Sequence, residues 1–205
     1  MSKAEVTDFF DNHAESWVLN GYNDDGYNYP VALHRLRIIK KILSNFGSRL
    51  KIADLGCGGG NVSLALADLG HNVTGIDGAD NMIELSNTLR SSASQEIQGR
   101  VEFECSPITD NQQESNTFDV CIAMGVIGYF EKDEELFNEV RRLLKPGGLF
   151  LVSCRNRLFN MQSISFRTAN EINKNNAVYL IDEIKTLYER IPTDNVEDML
   201  GRLND

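Results

Sequence analysis

Short apolar runs recur along the chain and predict the strands of a sheet. Most of these runs carry few polar residues, which is typical of parallel strands that are covered on both faces. The run that begins at Arg100 alternates apolar and polar residues instead. Five strands are predicted, over residues 50–55, 72–77, 100–105, 117–124 and 149–154.

Between the apolar runs, apolar residues return every three or four positions, which predicts amphipathic helices. The last helix before residue 145 is expected to be capped by Asp133 and to bury Leu136, Phe137 and Val140, while its acids face solvent. Strands that alternate with helices favour an α/β fold, in this case a Rossmann-like, doubly wound and mostly parallel sheet. The predicted helices cover residues 9–17, 31–46, 62–69, a segment opening at Gly78, and 134–144, with a polar turn over 91–99.

The first predicted strand ends in a cluster of glycines. Glycines occupy positions 56, 58, 59 and 60, and a helical pattern begins directly after them. Glycine allows positive φ angles and lets a ligand lie against the backbone. The start of a helix adds unpaired N–H groups and the positive end of the helix dipole. This segment of strand, turn and helix is therefore predicted to be a ligand cradle.

Two acids help to identify the ligand. Asp77 ends the second predicted strand, where a carboxylate can accept hydrogen bonds from both ribose hydroxyl groups. Asp54 comes just before the first glycine, where it would repel a pyrophosphate but would suit a cationic ammonium or sulfonium group. The dinucleotide pattern also needs a glycine at its sixth position, and this chain has Asn61 there.

Two strings resemble the motifs of the class I S-adenosylmethionine-dependent methyltransferases. Residues 54–60, Asp-Leu-Gly-Cys-Gly-Gly-Gly, resemble motif I, and residues 144–152, which contain Lys-Pro-Gly-Gly, resemble the motif at the fifth strand. Residues 10–39 are similar to the first part of ubiquinone-biosynthesis-type small-molecule O-methyltransferases. The resemblance implies an N-terminal helical lid and flanking helix over 1–49, an S-adenosylmethionine-binding α/β core over 50–155, and a helical C-terminal segment over 156–205.

The resemblance also implies where the methionine part of the cofactor binds. In the related family an arginine of the helix before the first strand pairs with the methionine carboxylate. Arg37 best matches the distance of that arginine from motif I, and Arg35 is the second candidate. The backbone of Met124 and Gly125 is expected near the methionine moiety, because open parallel sheets bind ligands at the carboxyl ends of their strands.

At the adenine end, Ala79 and Met82 match family positions that lie against the base. The family commonly has Gly-Asp after the third strand, and its acid binds the adenine amino group. This chain has Cys105 and Ser106 there and an acid only at Asp110, so the backbone of residues 106–108, rather than Asp110, is expected to take over the contact. The full set implied for the cofactor is Arg37, Asp54, Gly56, Cys57, Gly58, Asp77, Gly78, Ala79, Met82, Ser106, Pro107, Ile108, Met124 and Gly125.

Methyl transfer is an in-line displacement, for which a protein mainly aligns the acceptor and excludes water. An oxygen acceptor must also lose its proton to a base within reach. His34 and His13 are the candidate bases, and Tyr129 is a candidate for positioning the acceptor. A small-molecule oxygen is expected, from a phenol or quinone precursor to a sugar or other cell-surface precursor. No cluster of residues has metal-ligand spacing, so no metal is expected.

Composition excludes some partners. The net charge of −10 argues against a nucleic-acid partner, which would require a basic face. No run approaches the ~18 apolar residues of a membrane span, and the polar start is unlike a signal peptide. The four cysteines form no Cys-x-x-Cys pair and are expected to be free thiols in a reducing cytoplasm.

Two other functions stay open. A catalytically silent S-adenosylmethionine-binding module, acting through a partner, would explain why no base is evident. A NAD-dependent oxidoreductase would explain the glycines but not Asp54 and Asn61. Beyond the fifth strand, residues 178–190 and 195–203 are predicted as helices, whereas the related fold adds a helix and an antiparallel strand pair. The strand pair is therefore expected to be missing or replaced by helices, and the acceptor region to be incomplete.

Overall fold

A computed structural model describes residues 3–22, 31–154 and 173 of the chain. Contacts divide the protein into two compact units, Met1–Cys154 and Arg155–Asp205, and the following helices and strands all belong to the first. The helices are α1 (Lys3–Tyr22), α2 (Val31–Phe46), α3 (Asn61–Asp68), α4 (Asp80–Ser91), α5 (Gln95–Gln98) and α6 (Asp133–Leu143). Among the described residues, no helix combines the length and apolar character that crossing a membrane requires.

The sheet has five strands, and every neighbouring pair is parallel. Its order is β3-β2-β1-β4-β5, so the chain runs outward from β1 to β3 and then returns to the other side of β1. This confirms the predicted α/β fold with a parallel sheet. The strands are β1 (Lys51–Leu55), β2 (Asn72–Asp77), β3 (Val101–Cys105), β4 (Phe118–Met124) and β5 (Leu144–Ser153).

The core lies on both faces of the sheet. Side chains alternate along a strand, so Ile52 joins one apolar cluster while its neighbours Ala53 and Leu55 join the other. The first cluster packs α2 and α3 on the sheet, and the second packs α6 on the opposite face. Because helices cover both faces of the sheet, the central strands are nearly continuous apolar runs.

The structure corrects three predictions for α6. Asp133 is the first residue of the helix rather than its cap, and Lys132 occupies the cap position without a side-chain hydrogen bond. Phe137 is 44% exposed, and its ring meets Phe150 edge-on with centroids 6.1 Å apart. Glu139, expected outside with the other acids, is only 8% exposed. It is buried because polar side chains reach it and donate hydrogen bonds to its carboxylate.

Other boundaries differ where tertiary contacts outweigh local pattern. Helix α1 extends well beyond the predicted 9–17 and contacts α2 and α4. Within the predicted polar turn, Ser94 caps the short α5 by accepting a hydrogen bond from the Ile97 backbone N–H at 3.4 Å. Strand β5 already begins at Leu144, with an irregular register through Lys-Pro-Gly-Gly rather than a separate turn. The helices predicted over 178–190 and 195–203 lie outside the described residues.

Candidate functional site

A cavity of about 220 Å³ opens at the carboxyl ends of β1, β2 and β4. It lies where the chain returns to β4, the point at which open parallel sheets bind ligands. Helices α1 and α2, the turn after β3 and the segment after β4 form the remaining walls. Of the predicted site residues, the cavity is lined by Gly56, Gly58, Asp77, Gly78, Ala79, Met82, Pro107, Ile108, Met124, Gly125 and Tyr129. The others, His13, His34, Arg37, Asp54, Cys57 and Ser106, are not among its lining residues.

The glycine loop, residues 56–60, is hydrogen-bonded to β2, and Gly56 has no room for a side chain. The backbone N–H groups of Gly56 and Cys57 both donate to the Ile76 carbonyl, at 2.8 and 3.1 Å. Gly56 has a φ of +71°, and a Cβ there would lie 2.5 Å from Val126 Cγ2. Glycine is therefore required at this position by both backbone angle and space.

Asp77 links the loop to the start of α4. Its Oδ2 accepts a hydrogen bond from the Gly58 N–H at 2.9 Å, and its Oδ1 accepts one from the Ala79 N–H at 3.0 Å. Burial raises the pKa of this carboxyl group, and the two backbone donors partly oppose the rise. A carboxylate has about four acceptor positions, so Asp77 retains capacity for two further donors from a ligand.

Asp54 lies beneath the loop rather than in the cavity wall. It is 3% exposed, and its Oδ2 accepts a hydrogen bond from Ser63 Oγ at 2.7 Å, which joins β1 to α3. Burial raises the pKa of Asp54 to about 6, against the Ser63 hydrogen bond and with a further rise from nearby Asp77. Asp54 therefore links β1 to α3 and is not a lining residue of the cavity, although its sequence position predicts direct contact with a cationic ligand.

Asp54→Asn is expected to make the ligand-free protein more stable at pH 7.5. An acid whose folded-state pKa is raised binds a proton more tightly when folded, so the unfolding free energy falls as the pH rises from about 4 to about 6. A pKa shift of this size corresponds to about 3 kcal/mol of unfolding free energy. Asparagine keeps the shape and one acceptor without the charge. Urea unfolding at pH 4.5 and 7.5 should show that the unfolding free energy depends less on pH in the variant than in the wild type. An equal pH dependence in the two proteins would contradict the raised pKa of Asp54.

The structure moves the candidate for carboxylate binding from Arg37 to Arg35. Arg37 is exposed on the outer side of α2. Arg35 lines the cavity, and its Nη1 lies 2.7 Å from where a Cβ on Gly125 would be, with Gly125 at a φ of +79°. Only glycine lets the guanidinium group lie this close to the end of β4. The Gly125 N–H also donates to Ser153 Oγ at 2.7 Å, which fixes that end of the strand.

The end of the cavity formed by the start of α4 is partly apolar. Met82 and Ala79 are 1% exposed, and both pack against Ala14 of α1. The turn after β3 closes this end: a Cβ on Gly78 would lie 3.9 Å from the Pro107 Cα and from the Ser106 carbonyl oxygen. Asp77 and this turn therefore bracket the same end of the cavity.

Helix α1 covers the cavity, and the sequence alone did not show which of its residues would do so. Val6, Thr7 and Phe10 line it, and the Phe10 ring meets Tyr129 edge-on with centroids 5.3 Å apart. Asp11 anchors the helix, since its Oδ1 accepts a hydrogen bond from the Asn81 N–H at 2.9 Å. The family resemblance predicted a helical lid within residues 1–49, and the helix-forming pattern placed a helix over residues 9–17, but neither signal shows which side of the helix faces the cavity.

Of the three candidate catalytic residues, only Tyr129 lines the cavity. His13 is exposed on α1, where its Nδ1–H donates to the Phe9 carbonyl at 2.8 Å and its ring stacks on Phe9. His34 is half-buried on α2. Among the described lining residues, Asp77 is the only carboxylate and none is a histidine. Within the same described part of the chain, no group of three or more His, Cys, Asp or Glu residues could hold a metal ion.

Comparison with known proteins assigns the chain to a family. A family model described as a methyltransferase domain matches residues 53–152. The ubiquinone biosynthesis O-methyltransferase of Rickettsia felis is 34% identical over 146 residues, which are 67% of this chain and 57% of that protein. The chain carries a class I methyltransferase domain.

Two further matches agree with this methyltransferase domain. The demethylmenaquinone methyltransferase of Leptospira interrogans is 34% identical over 125 residues, 58% of this chain and 49% of that protein. The crystal structure of the [4+2]-cyclase SpnF superposes with a TM-score of 0.61 over 74% of this chain and 60% of that one, at 22% identity, which shows the fold. The chain thus spans about half to three fifths of the length of the Rickettsia and Leptospira relatives.

Proposed function

We propose that the methyltransferase domain binds S-adenosylmethionine and transfers its methyl group to an oxygen of a small, largely apolar acceptor such as a phenol or quinone precursor. The observation that carries this proposal is the placement of opposite charges in one cavity. Asp77 lies at the end of β2, and Arg35 lies against Gly125 at the end of β4. These groups suit a ligand with a ribose diol at one end and a carboxylate at the other.

The dimensions of the sheet fit such an extended ligand. Strands β2 and β4 are separated only by β1, so their carboxyl ends lie about 10 Å apart. The glycine loop at the end of β1 lies between them, and a Cβ on Gly58 would face the cavity at 3.8 Å from Met82 Sδ. A ligand can therefore lie across the loop backbone and reach both charged groups.

The chain's own residues bind, orient and exclude water. Asp77 would accept the ribose hydroxyl groups, Arg35 would pair with the methionine carboxylate, and Ala79 and Met82 would pack on adenine. When bound, S-adenosylmethionine supplies the methyl group and leaves as S-adenosylhomocysteine. Phe10 and Tyr129, whose rings meet edge-on at the cavity, would cover the bound ligand and keep water away from the acceptor.

The acceptor side favours a flat, apolar molecule. Phe10, Val126, Tyr129 and Phe130 supply an aromatic and aliphatic surface, whereas a sugar would need several polar partners. The names of the Rickettsia and Leptospira relatives, which refer to ubiquinone and demethylmenaquinone, support the same class. Tyr129 is our candidate for positioning the acceptor. His13 and His34 stay candidates for the base only if the acceptor extends beyond the described cavity lining.

A silent S-adenosylmethionine-binding module is the second candidate. It is favoured by one observation, that the described lining of the cavity contains no histidine to take the acceptor's proton. A shared fold does not fix the reaction, as the cyclase with the same fold illustrates. The two candidates agree on cofactor binding and differ only in turnover.

The test uses the purified full chain in two steps. Calorimetric titration with S-adenosylhomocysteine, and with NAD as the control ligand, establishes the cofactor. Methyl-labelled S-adenosylmethionine is then supplied with catechol and with a short-chain demethylated hydroquinone, and label in the organic product is measured. Binding with label transfer supports the proposal, and binding without transfer to either acceptor favours the silent module. Heat with NAD but not with S-adenosylhomocysteine overturns both.

A further inference from the structure

A buried polar cluster lies behind the turn that closes the Asp77 end of the cavity. It consists of Asn111, after the turn, and of Glu139 and Arg142 on α6. Asn111 is 9% exposed and Glu139 is 8% exposed, on a helix whose other inward residues are Leu136, Val140 and Leu143. Burying a carboxylate costs free energy unless it is paired and hydrogen-bonded, so this cluster requires a reason beyond filling space.

Asn111 is the centre of the cluster, and both ends of its amide are engaged. Its Nδ2 donates to the Ile108 carbonyl at 2.6 Å and to Glu139 Oε1 at 2.7 Å. Its Oδ1 accepts hydrogen bonds from Arg142 Nη2 at 3.1 Å and from the Gln113 N–H at 3.0 Å. Arg142 pairs with Glu139 through Nη2 and Oε1 at 2.6 Å. A helix of the scaffold is thereby connected to the backbone of a cavity-lining residue.

Glu104, at β3, fixes the turn from the other side. Its Oε1 accepts hydrogen bonds from Ser106 Oγ at 2.7 Å and from the Gln112 N–H at 2.9 Å, and its Oε2 accepts one from Gln113 Nε2 at 2.8 Å. Desolvation raises the pKa of Glu104, but these donors outweigh it and hold the pKa below its usual value. Residues 106–113 are therefore held at both ends by carboxylates on rigid elements.

The turn needs this support because its own side chains do not supply a carboxylate to the cavity. Asp110 is exposed and does not line the cavity, whereas Pro107, Ile108 and Thr109 do. Recognition of a base edge at this wall therefore falls to backbone groups and to the short Thr109 side chain, both of which depend on the position of the turn. Backbone groups discriminate only when the turn is held in one position, because a loose wall would adapt to either base.

We propose that the Asn111–Glu139–Arg142 cluster is a positioning device that fixes the 107–109 wall and so sets selectivity for the adenine base of the cofactor. The inference rests on the proposed function, since it takes the adenosyl part of S-adenosylmethionine to lie at this end. Asn111 acts through the Ile108 carbonyl and does not touch the ligand. Its loss should change which base is accepted, and not merely how stable the fold is.

The test compares two ligands that differ only in the base. S-adenosylhomocysteine and S-inosylhomocysteine, in which an oxygen replaces the adenine amino group, are titrated into the full chain by calorimetry. The inosine base would leave a backbone hydrogen-bonding group of the wall without a partner. The wild type should therefore prefer the adenine ligand by about 10-fold or more. In Asn111→Ala the preference should fall to about 3-fold or less, with weaker binding of S-adenosylhomocysteine.

Two further variants separate positioning from stability. Val73 is buried near the start of β2, at the end of the strand away from the ligand cavity. Val73→Ala removes buried methyl groups, so it should lower the unfolding free energy but leave the preference for the adenine ligand unchanged. Glu139→Gln keeps the volume and one acceptor, and it should reduce the preference by less than Asn111→Ala does; it serves as the test if Asn111→Ala does not fold. The inference is overturned if the wild type binds the two ligands equally well. It is also overturned if Asn111→Ala and Glu139→Gln keep the preference of the wild type. Failure of the wild type to bind S-adenosylhomocysteine instead removes the proposed function.

Discussion

Replacing Asp77 by alanine is expected to weaken binding of S-adenosylhomocysteine by about 100-fold or more. The carboxylate has capacity for two ribose hydroxyl groups, and each hydrogen bond to a charged group contributes about 1.5–3 kcal/mol. Because 1.4 kcal/mol corresponds to a factor of ten in affinity, the loss of both reaches at least this size. The variant also releases the Gly58 and Ala79 N–H groups, so the glycine loop loses its tie to α4.

Asp119→Ala is the matched control for this experiment. Asp119 is also a strand carboxylate with two donors: its Oδ2 accepts from the Lys51 N–H at 2.8 Å and its Oδ1 from Lys145 Nζ at 2.7 Å. It lies near the start of β4, whereas the cavity lies at the carboxyl ends of the strands. Titration should show wild-type affinity for Asp119→Ala at a reduced unfolding free energy. Equal losses of affinity in the two variants would mean that Asp77 acts only through the fold.

Strands and the glycine loop could be predicted because their signals are local. An apolar run bounded by a glycine cluster specifies a buried parallel strand and its turn without reference to other segments, and β2 matched its predicted bounds. Strand β5 began earlier than predicted because Leu144 pairs with Phe118, a partner distant in sequence. The chemistry of Pro-Gly-Gly indicates a turn, and pairing with β4 overrides it.

Burial of Glu139 could not be read from the periodicity of α6. The helical pattern places the residue between Leu136 and Val140 near the core side, but an acid at such a position is normally assigned to solvent. Its partners Asn111 and Arg142 come from a distant loop and from the next turn of the helix, and only the fold brings them together. Polar clusters of this kind are the features that sequence patterns describe least well.

The choice between Arg35 and Arg37 illustrates a different limit. Residues two apart on an α-helix differ by about 200° in direction, so only one of the pair can face the cavity. Spacing to the glycine motif fits both within the variation of loop lengths. The decision depends on Leu36, Ile39 and Leu43, which pack on the sheet and so fix the rotation of α2.

Arg35→Ala is expected to weaken S-adenosylhomocysteine binding by about 10- to 100-fold and to leave binding of methylthioadenosine unchanged. The second ligand keeps the adenosyl and thioether groups but lacks the carboxylate, so it makes no ion pair that the variant could lose. The expected loss corresponds to about 1.5–3 kcal/mol for hydrogen bonds to a charged group. Arg37→Ala, two residues away on the outer face of α2, is the control and should bind both ligands as the wild type does. A loss confined to Arg37→Ala would restore the assignment based on sequence spacing. Equal weakening of both ligands in Arg35→Ala would place the guanidinium group at the cavity wall as packing rather than as the partner of the carboxylate.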